Sequence, residues 1–403
     1  MPSPQPDKGR SILVFEPDGE GHALEWLAHL VRYADPNTTV SILAPAALCE
    51  ALAKAVPSTG SRRIRLLPLT RLEQKLCLQR PLIIAAFARW WIVRRHLKAS
   101  GAQEGLFLMI DLESLPLALG LGMGGARVSG ILFRPSVHYS AIGPYAPRRG
   151  ERLRDWRKAF LYRRMLRNPA LERVLSLDPF FATYARSHYE RGEKIQALPD
   201  PALPPTRSVG ASLPVQGFVP DGRIGFLLFG YLTERKGPLV VLEALARLPP
   251  RIASKVAVLF AGRVDPALAE QLETSRRALA ESQPDLWLRI EDRRLDEAEL
   301  VDLVRVSDVV LAPYQRFVGS SGVLLWAARA GRPVLAQEFG LVGRLTRDHG
   351  LGVSVDSSDP FELARQIANM VEHGPARFID RDTATRFVDA QTPQRFASLV
   401  LSV

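Results

Sequence analysis

The chain has 403 residues, more than one ordinary hydrophobic core accommodates, so two domains are expected. Its 47% apolar and 24% charged content is that of a soluble globular protein and excludes a disordered or fibrous chain. The net charge of +11 favours phosphate-bearing ligands, anionic membrane surfaces or nucleic acid, and the lack of zinc-finger, ribonucleoprotein or basic-zipper motifs speaks against the last.

In chain order, Ser11 to Phe15 reads as a strand, Pro17 to His22 as a turn and Ala23 to Tyr33 as an apolar helix. Thr39 to Leu43 is a second strand, followed by an Ala-rich helix from Ala46 to Val56. Ile64 to Leu67, Leu106 to Asp111, Arg127 to Phe133 and Arg173 to Leu177 complete the strands of this half. The stretch from Leu198 to Asp221 is dense in proline and has no hydrophobic period, which predicts a linker. Ile224 to Phe229 restarts the pattern, and Val256 to Phe260, Leu286 to Ile290, Val309 to Leu311, Val334 to Ala336 and Gly352 to Val355 continue it. Strands alternating with helices predict parallel sheets covered on both faces, and ligands in such sheets bind at the carboxyl ends of the strands.

Cys49 and Cys77 are the only cysteines; they make no disulfide framework and suit a reducing cytosol. The start of the chain, MPSPQPDKGR, lacks the apolar segment of a signal peptide. No run reaches the roughly 18 apolar residues of a transmembrane helix. The nearest, Pro81 to Val93, is interrupted by Arg89. No Cys/His cluster has metal-ligand spacing.

The most informative stretch is Pro313 to Leu335, PYQRFVGSSGVLLWAARAGRPVL. A buried strand ends in Val309-Val310-Leu311, the loop Gly319-Ser320-Ser321-Gly322 follows, and an apolar helix runs to Gly331. A Gly/Ser loop opening a helix at a strand's carboxyl end either holds an anion on free amides and hydroxyls or is an ordinary turn with an N-cap serine. The stretch resembles the donor-binding signature of the GT-B glycosyltransferases, closest to the family-4 (group 1) retaining enzymes. The matching parts are Pro313-Tyr314, Gly319 to Gly322, Ala327-Ala328 and Gly331-Arg332-Pro333-Val334. The family's two glutamates, eight positions apart, align with Val318 and Trp326, so no carboxylate carries over to either.

The resemblance implies two facing Rossmann-like, doubly wound α/β domains with a cleft between them. Residues 1–198 would form the acceptor domain, 199–222 the linker and 223–378 the nucleotide-sugar donor domain. Residues 379–403 would return to the first domain, with Phe387, Val388, Phe396 and Leu399 as anchors. In Gly230 to Gly237, the family's Lys-Gly pair matches Lys236-Gly237; its arginine position holds Tyr231, and Arg235 is the candidate replacement. Lys236 and Arg235, with Gly319 to Gly322, are the expected ligands of a donor diphosphate. Gly230, Tyr314 and the turn Glu338-Phe339-Gly340 are expected near the nucleotide or sugar, with Glu338 either a ligand of a donor hydroxyl or a helix cap.

In the first half, Gly19 and Gly21 resemble the family's glycine-rich loop near donor or acceptor. His22, His138 and Asp111 follow strands and are the catalytic candidates, each with packing or capping as the alternative role. Retaining enzymes of this class need charge neutralisation and positioning rather than a protein nucleophile. Pro147 to Arg167 holds nine basic and two acidic residues, with Leu153, Trp156, Phe160 and Leu161 at helical spacing. Leu76 to Leu97 is similar in kind, with Phe87, Trp90, Trp91, Arg94 and Arg95. Both read either as peripheral contacts with an anionic membrane or lipid-linked acceptor, or as core-facing stripes with solvated arginines. The expectation is a metal-independent, retaining, cytoplasmic glycosyltransferase, associated with the inner face of a membrane where those segments dock. The alternatives are a catalytically silent nucleotide-sugar-binding scaffold, or a nucleotide-sugar epimerase of the same fold.

Overall fold

The computed structural model describes residues 10–19, 22–56, 63–133, 135–144, 146–202 and 219–402. The first half runs β1 (Ser11–Phe15), α1 (Ala23–Tyr33), β2 (Thr39–Pro45), α2 (Ala46–Ala55), β3 (Ile64–Leu69), α3 (Arg71–Leu78), α4 (Leu82–Ser100), β4 (Glu104–Phe107) and α5 (Ser114–Ala118). It continues with β5 (Arg127–Leu132), α6 (Tyr139–Ile142), α7 (Arg149–Leu166), β6 (Leu171–Ser176), α8 (Pro179–His188) and β7 (Ile195–Ala197). The second half runs β8 (Ile224–Phe229), α9 (Pro238–Leu245), α10 (Pro250–Ala253), β9 (Val256–Ala261), α11 (Pro266–Ser282), β10 (Trp287–Glu291), α12 (Glu297–Val306) and β11 (Val309–Ala312). Then come α13 (Val323–Arg329), β12 (Val334–Gln337), α14 (Gly340–Asp348), β13 (Gly352–Val355), α15 (Pro360–His373), α16 (Arg381–Asp389) and α17 (Pro393–Leu401).

The chain forms two compact units. Unit 1 holds residues Met1–His138, Pro147–Pro201 and Thr392–Val403; unit 2 holds Tyr139–Ala146 and Ala202–Gln391. Unit 1 contains a seven-stranded parallel sheet in the order β3-β2-β1-β4-β5-β6-β7. Unit 2 contains a six-stranded parallel sheet in the order β10-β9-β8-β11-β12-β13. In each, strand order reverses beside the first strand, at β1/β4 and β8/β11, the place where open α/β sheets offer their ligand sites.

Alternation decides which face each strand side chain serves. Leu13 and Phe15 of β1 enter the core that α4, α7 and α8 cover, with Trp90, Tyr162 and Phe181. Ile12 and Val14 enter the opposite core, with Trp26 of α1 and Phe396 of α17. In unit 2, Phe226 and Leu228 of β8 meet Val241 of α9, Leu268 and Leu272 of α11 and Leu363 and Ile367 of α15.

Four sequence readings are corrected. The apolar run Leu106 to Asp111 is strand only to Phe107; beyond it single bonds remain, Leu108 N–H donating to Phe15 O and Ile110 N–H to Ile131 O, outside a regular ladder. The sheet of unit 1 ends in β7 rather than β6, a three-residue strand too short for a hydrophobic period to reveal. The segment 76–97 is no single helix: α3 stops before Pro81, which precedes α4. Finally, the return to unit 1 begins at Thr392, since α16 is held in unit 2 by Asp380 N–H on Gly350 O (2.8 Å) and by Phe387 stacked on His349. Part of the proline-rich stretch, 203–218, lies outside the described residues.

Candidate functional site

β8 delivers the chain to Gly230, whose φ of 99° only glycine adopts without strain. A Cβ there would sit 3.0 Å from Lys236 Nζ, so the missing side chain leaves room for the lysine. After a single 3-10 turn, Glu234–Lys236, the chain reverses at Gly237 into α9. Gly237 has φ 75°, and a Cβ would fall 2.3 Å from Pro313 O. The turn is thereby pressed against the end of β11, an arrangement that Gln315 N–H tightens by donating to Arg235 O at 2.7 Å.

Lys236 Nζ donates to Phe229 O at 2.8 Å and lies 5.3 Å from the centre of the Tyr314 ring. The ammonium is thus fixed at the carboxyl end of β8, half-buried, with N–H groups to spare. Arg235 is exposed and lies over Phe317 at 4.5 Å. Tyr314 is buried and its hydroxyl shares a hydrogen bond with Ser321 Oγ at 2.8 Å. Ser321 is therefore spent on tyrosine rather than on capping: the N-cap of α13 is Gly322, without a side-chain cap.

Glu338 and Gly340 follow β12. Gly340 has φ 67°, and a Cβ would strike Val318 Cα at 2.8 Å, so this turn packs directly on the loop after β11. Leu341 N–H donates to Val318 O at 3.1 Å. α14 has Phe339 at its N-cap and no side-chain cap, so the Glu338 carboxylate is not a capping group. Its main-chain oxygen accepts from Arg347 at 2.7 Å. Trp326, the second aligned glutamate position, packs its ring 5.9 Å from Phe229. Lys236, Arg235, Tyr314, Ser321, Glu338 and Gly340 thus gather at the carboxyl edge of β8, β11 and β12.

The candidates of unit 1 separate. His22 is exposed at the N-cap position of α1, lies 3.4 Å from Glu25 Oε2 and stacks on Trp26. The hydrogen bond that His22 donates to Glu25 raises its pKa against the opposing effect of burial. Gly19 has φ 80° and its N–H donates to Glu16 Oε1 at 3.3 Å; Gly21 lies outside the described residues. Asp111 is half-buried and its Oδ2 accepts from Phe133 N–H at 3.1 Å. His138 is fully buried: Nδ1 lies 2.7 Å from Pro135 O and Nε2 3.0 Å from Asp178 Oδ2. Asp178 in turn caps α8 through Phe180 N–H and Phe181 N–H. His138 is a buried brace between the end of β5 and α8, its ring nitrogens set against Pro135 O and Asp178, which is the packing role the sequence left open for it.

Residues 223–373, within unit 2, match the family model for glycosyl transferases group 1. The chain carries a group 1 glycosyltransferase domain. That domain assigns the chain to glycosyl transfer as a class of chemistry. The fold is GT-B, as comparison with solved structures shows. Sucrose-phosphate synthase from Thermosynechococcus elongatus aligns with a TM-score of 0.67 at 16% identity, over 97% of each chain. A trehalose-phosphate synthase (UDP-forming) from Burkholderia vietnamiensis aligns with a TM-score of 0.66 at 14% identity, over 99% of this chain and 100% of that one. HepE from Anabaena, in complex with UDP and glucose, aligns with a TM-score of 0.62 at 15% identity, over 97% of each. No curated protein matches by sequence.

Two groups of this glycosyltransferase escaped the sequence reading. Gln337 is fully buried, and its Nε2 donates to Phe317 O and to Phe339 O (2.9 Å), tying the loop after β11 to the turn after β12. Its place as a polar residue ending the buried strand β12 was the available signal. At the carboxyl edge of unit 1, Glu113 is fully buried, neither carboxyl oxygen has a hydrogen-bond partner among the described residues, and Arg89 Nη1 lies 4.0 Å away. Burial pushes its pKa up to about 8, against the pull of Arg89. Glu16 beside it is also raised by burial, with the N–H groups of Asp18 and Gly19 pulling it back.

Proposed function

We propose that this glycosyltransferase moves a sugar from a nucleotide diphosphate sugar to an acceptor, with retention and without a metal ion. The observation that carries the reading is the Lys236 ammonium, held at the carboxyl end of β8 beside Arg235 and the Tyr314–Ser321 hydroxyl pair. Breaking the bond between sugar and diphosphate loads negative charge onto the leaving group. A fixed cation and an adjacent guanidinium stabilise that charge with little reorganisation. Gly319, Ser320 and Gly322 supply the flanking loop, and Gly230 and Phe339 the walls. The leaving diphosphate itself takes the acceptor proton on the same face, which asks no nucleophile of the protein. The complex of the Anabaena neighbour with UDP and glucose supports a nucleotide sugar as donor.

The acceptor belongs to unit 1 in this reading, with His22, Asp111 and the Gly19–Gly21 loop as the groups that approach it. Leu153, Trp156 and Phe160 of α7 are exposed among arginines, and Leu82, Ile83 and Ile84 of α4 are exposed as well. Apolar and aromatic side chains set among cations suit a lipid-linked or anionic acceptor at a membrane surface. No helix among the described residues is long and apolar enough to cross a membrane. The enzyme is then cytoplasmic and works at the inner face.

Calorimetric and thermal-shift titration with nucleoside diphosphates and their sugars, on wild type and Lys236→Ala, tests the donor site. A donor at a hundred times its Kd adds about 2.7 kcal/mol of stability. Stabilisation by one nucleotide sugar that fades in the variant and persists in EDTA is the expected result. A folded wild type that responds to none removes the reading. The apolar Val318 and Trp326 favour a second reading, a protein that binds the donor without turnover; analysis of products with the bound donor separates the two.

A further inference from the structure

Unit 1 has a cavity of about 940 Å³. Its walls are the second half of α4, which brings Trp91, Arg94 and Lys98, and the loop Gly124-Gly125 that precedes β5. Gln103 and Arg127, where β4 and β5 begin, complete the rim, and the buried Leu97, Ala102 and Met123 lie beneath. This is the amino edge of the parallel sheet, opposite the edge that carries Gly19 and Asp111.

Three observations give the cavity a chemistry. It is lined by four cations and no acidic side chain. Arg95 is paired with Glu73, but Arg94, Lys98 and Arg127 take part in no ion pair among the described residues. Trp91 is 55% exposed, and the Arg94 guanidinium lies 5.1 Å from its ring centre, which holds the indole at the cavity wall. The loop is built for close approach: Gly124 and Gly125 have φ of 69° and 94°, and the chain closes on itself through the Met123–Ala126 bridge. A Cβ on Gly124 would lie 3.8 Å from Arg94 Nε. A volume near 900 Å³ is that of a small-molecule site. Three unneutralised cations around it repel one another until an anion with more than one negative charge enters, and arginine forks match phosphate oxygens bidentately.

We propose that this cavity binds a phosphorylated small molecule, its phosphates held by Arg94, Lys98 and Arg127 and its ring laid on Trp91. The inference does not depend on the donor reading, since the groups involved lie in another unit and at the other edge of a sheet. The test uses Lys236→Ala, in which the proposed donor site is disabled, titrated calorimetrically with UDP and with inorganic pyrophosphate. One binding event is expected for each, at least tenfold weaker when Arg94→Gln and Lys98→Gln are added. Trp91→Ala is expected to weaken UDP at least fivefold and to leave pyrophosphate unchanged. Trp91, Arg94 and Lys98 are exposed, and an unaltered melting temperature verifies that the variants fold. Sedimentation with phosphatidylglycerol vesicles separates the sources: binding to vesicles alone, lost with Arg94→Gln and Lys98→Gln, makes the phosphate that of a lipid headgroup. Absence of binding in both arms, or binding that the double substitution leaves intact, overturns the proposal. If wild type and Lys236→Ala bind UDP identically while the double substitution abolishes it, this site stands and the donor assignment falls.

Discussion

Glu113→Gln should change the pH dependence of stability more than any other single substitution in unit 1. The carboxyl group is fully buried, without a hydrogen-bond partner on either oxygen among the described residues, and burial raises its pKa from 4.5 to about 8 while Arg89 opposes the rise. A raised acid is one whose proton is held by the folded chain and surrendered by the unfolded one. Its contribution is complete below pH 4.5 and is lost as pH climbs through about 8. At about 1.4 kcal/mol for each pH unit of that interval, the loss amounts to about 5 kcal/mol. Glutamine keeps the shape and cannot ionise. It adds a buried amide that costs about 1–3 kcal/mol at every pH if its N–H groups find no partner. Urea unfolding of both proteins at pH 5, 7 and 9 is the assay. Wild type should be the more stable at pH 5, and the variant should gain on it up to about pH 8 and level off by pH 9. A difference that stays constant across this range would show that Glu113 is ionised in the folded chain and paired with Arg89, and the reasoning from burial would fail.

Other substitutions probe other links. Arg173 donates to Leu399 O (2.9 Å), Ser402 Oγ (3.1 Å) and Val400 O (3.0 Å), so Arg173→Ala leaves buried acceptors bare and should cost about 3–5 kcal/mol in calorimetric unfolding. An unchanged melting temperature would dismiss that clasp. Gly237→Ala forces a Cβ to within 2.3 Å of Pro313 O at φ 75°, and should destabilise unit 2 by about 3 kcal/mol or more in denaturant titration. Tolerance of alanine there would mean that the turn beneath Lys236 is not fixed by its packing on β11. Replacing Trp156 and Phe160 by serine should abolish sedimentation with anionic vesicles at low salt while leaving the melting temperature alone, because both side chains are exposed. Retained binding would remove α7 from the membrane reading.

The architecture was readable because buried parallel strands are short apolar runs between helices, as in Ile224 to Phe229. Errors came where the chain leaves a sheet without changing composition. Leu106 to Ile110 stays apolar although the strand ends at Phe107. The loop of Lys236 was legible because glycines flank a lysine just after a strand. For His138 the sequence left two roles open, because a histidine after a strand looks the same whether it faces solvent or Asp178. Glu113 and the cavity at Trp91 had no local signature. One depends on Arg89, and the other joins α4 to residues 124–127, and neither juxtaposition exists until the sheet forms.

The seat of α17 bears on the order in which the chain can fold during synthesis. Phe396 lies 5.1 Å from Trp26 and belongs to the same core as Ile12, Val14 and Ile42. Arg10 reaches Leu401 O and Ser402 O, while Arg173 grips the neighbouring carbonyls. A ribosome completes all of Ala202–Gln391 before it supplies these residues. Through that interval, one face of the first sheet presents an unfilled apolar seat around Trp26 and Phe133. The nascent chain therefore carries a sticky intermediate of long duration, and a chaperone that shields α1 would find its substrate there.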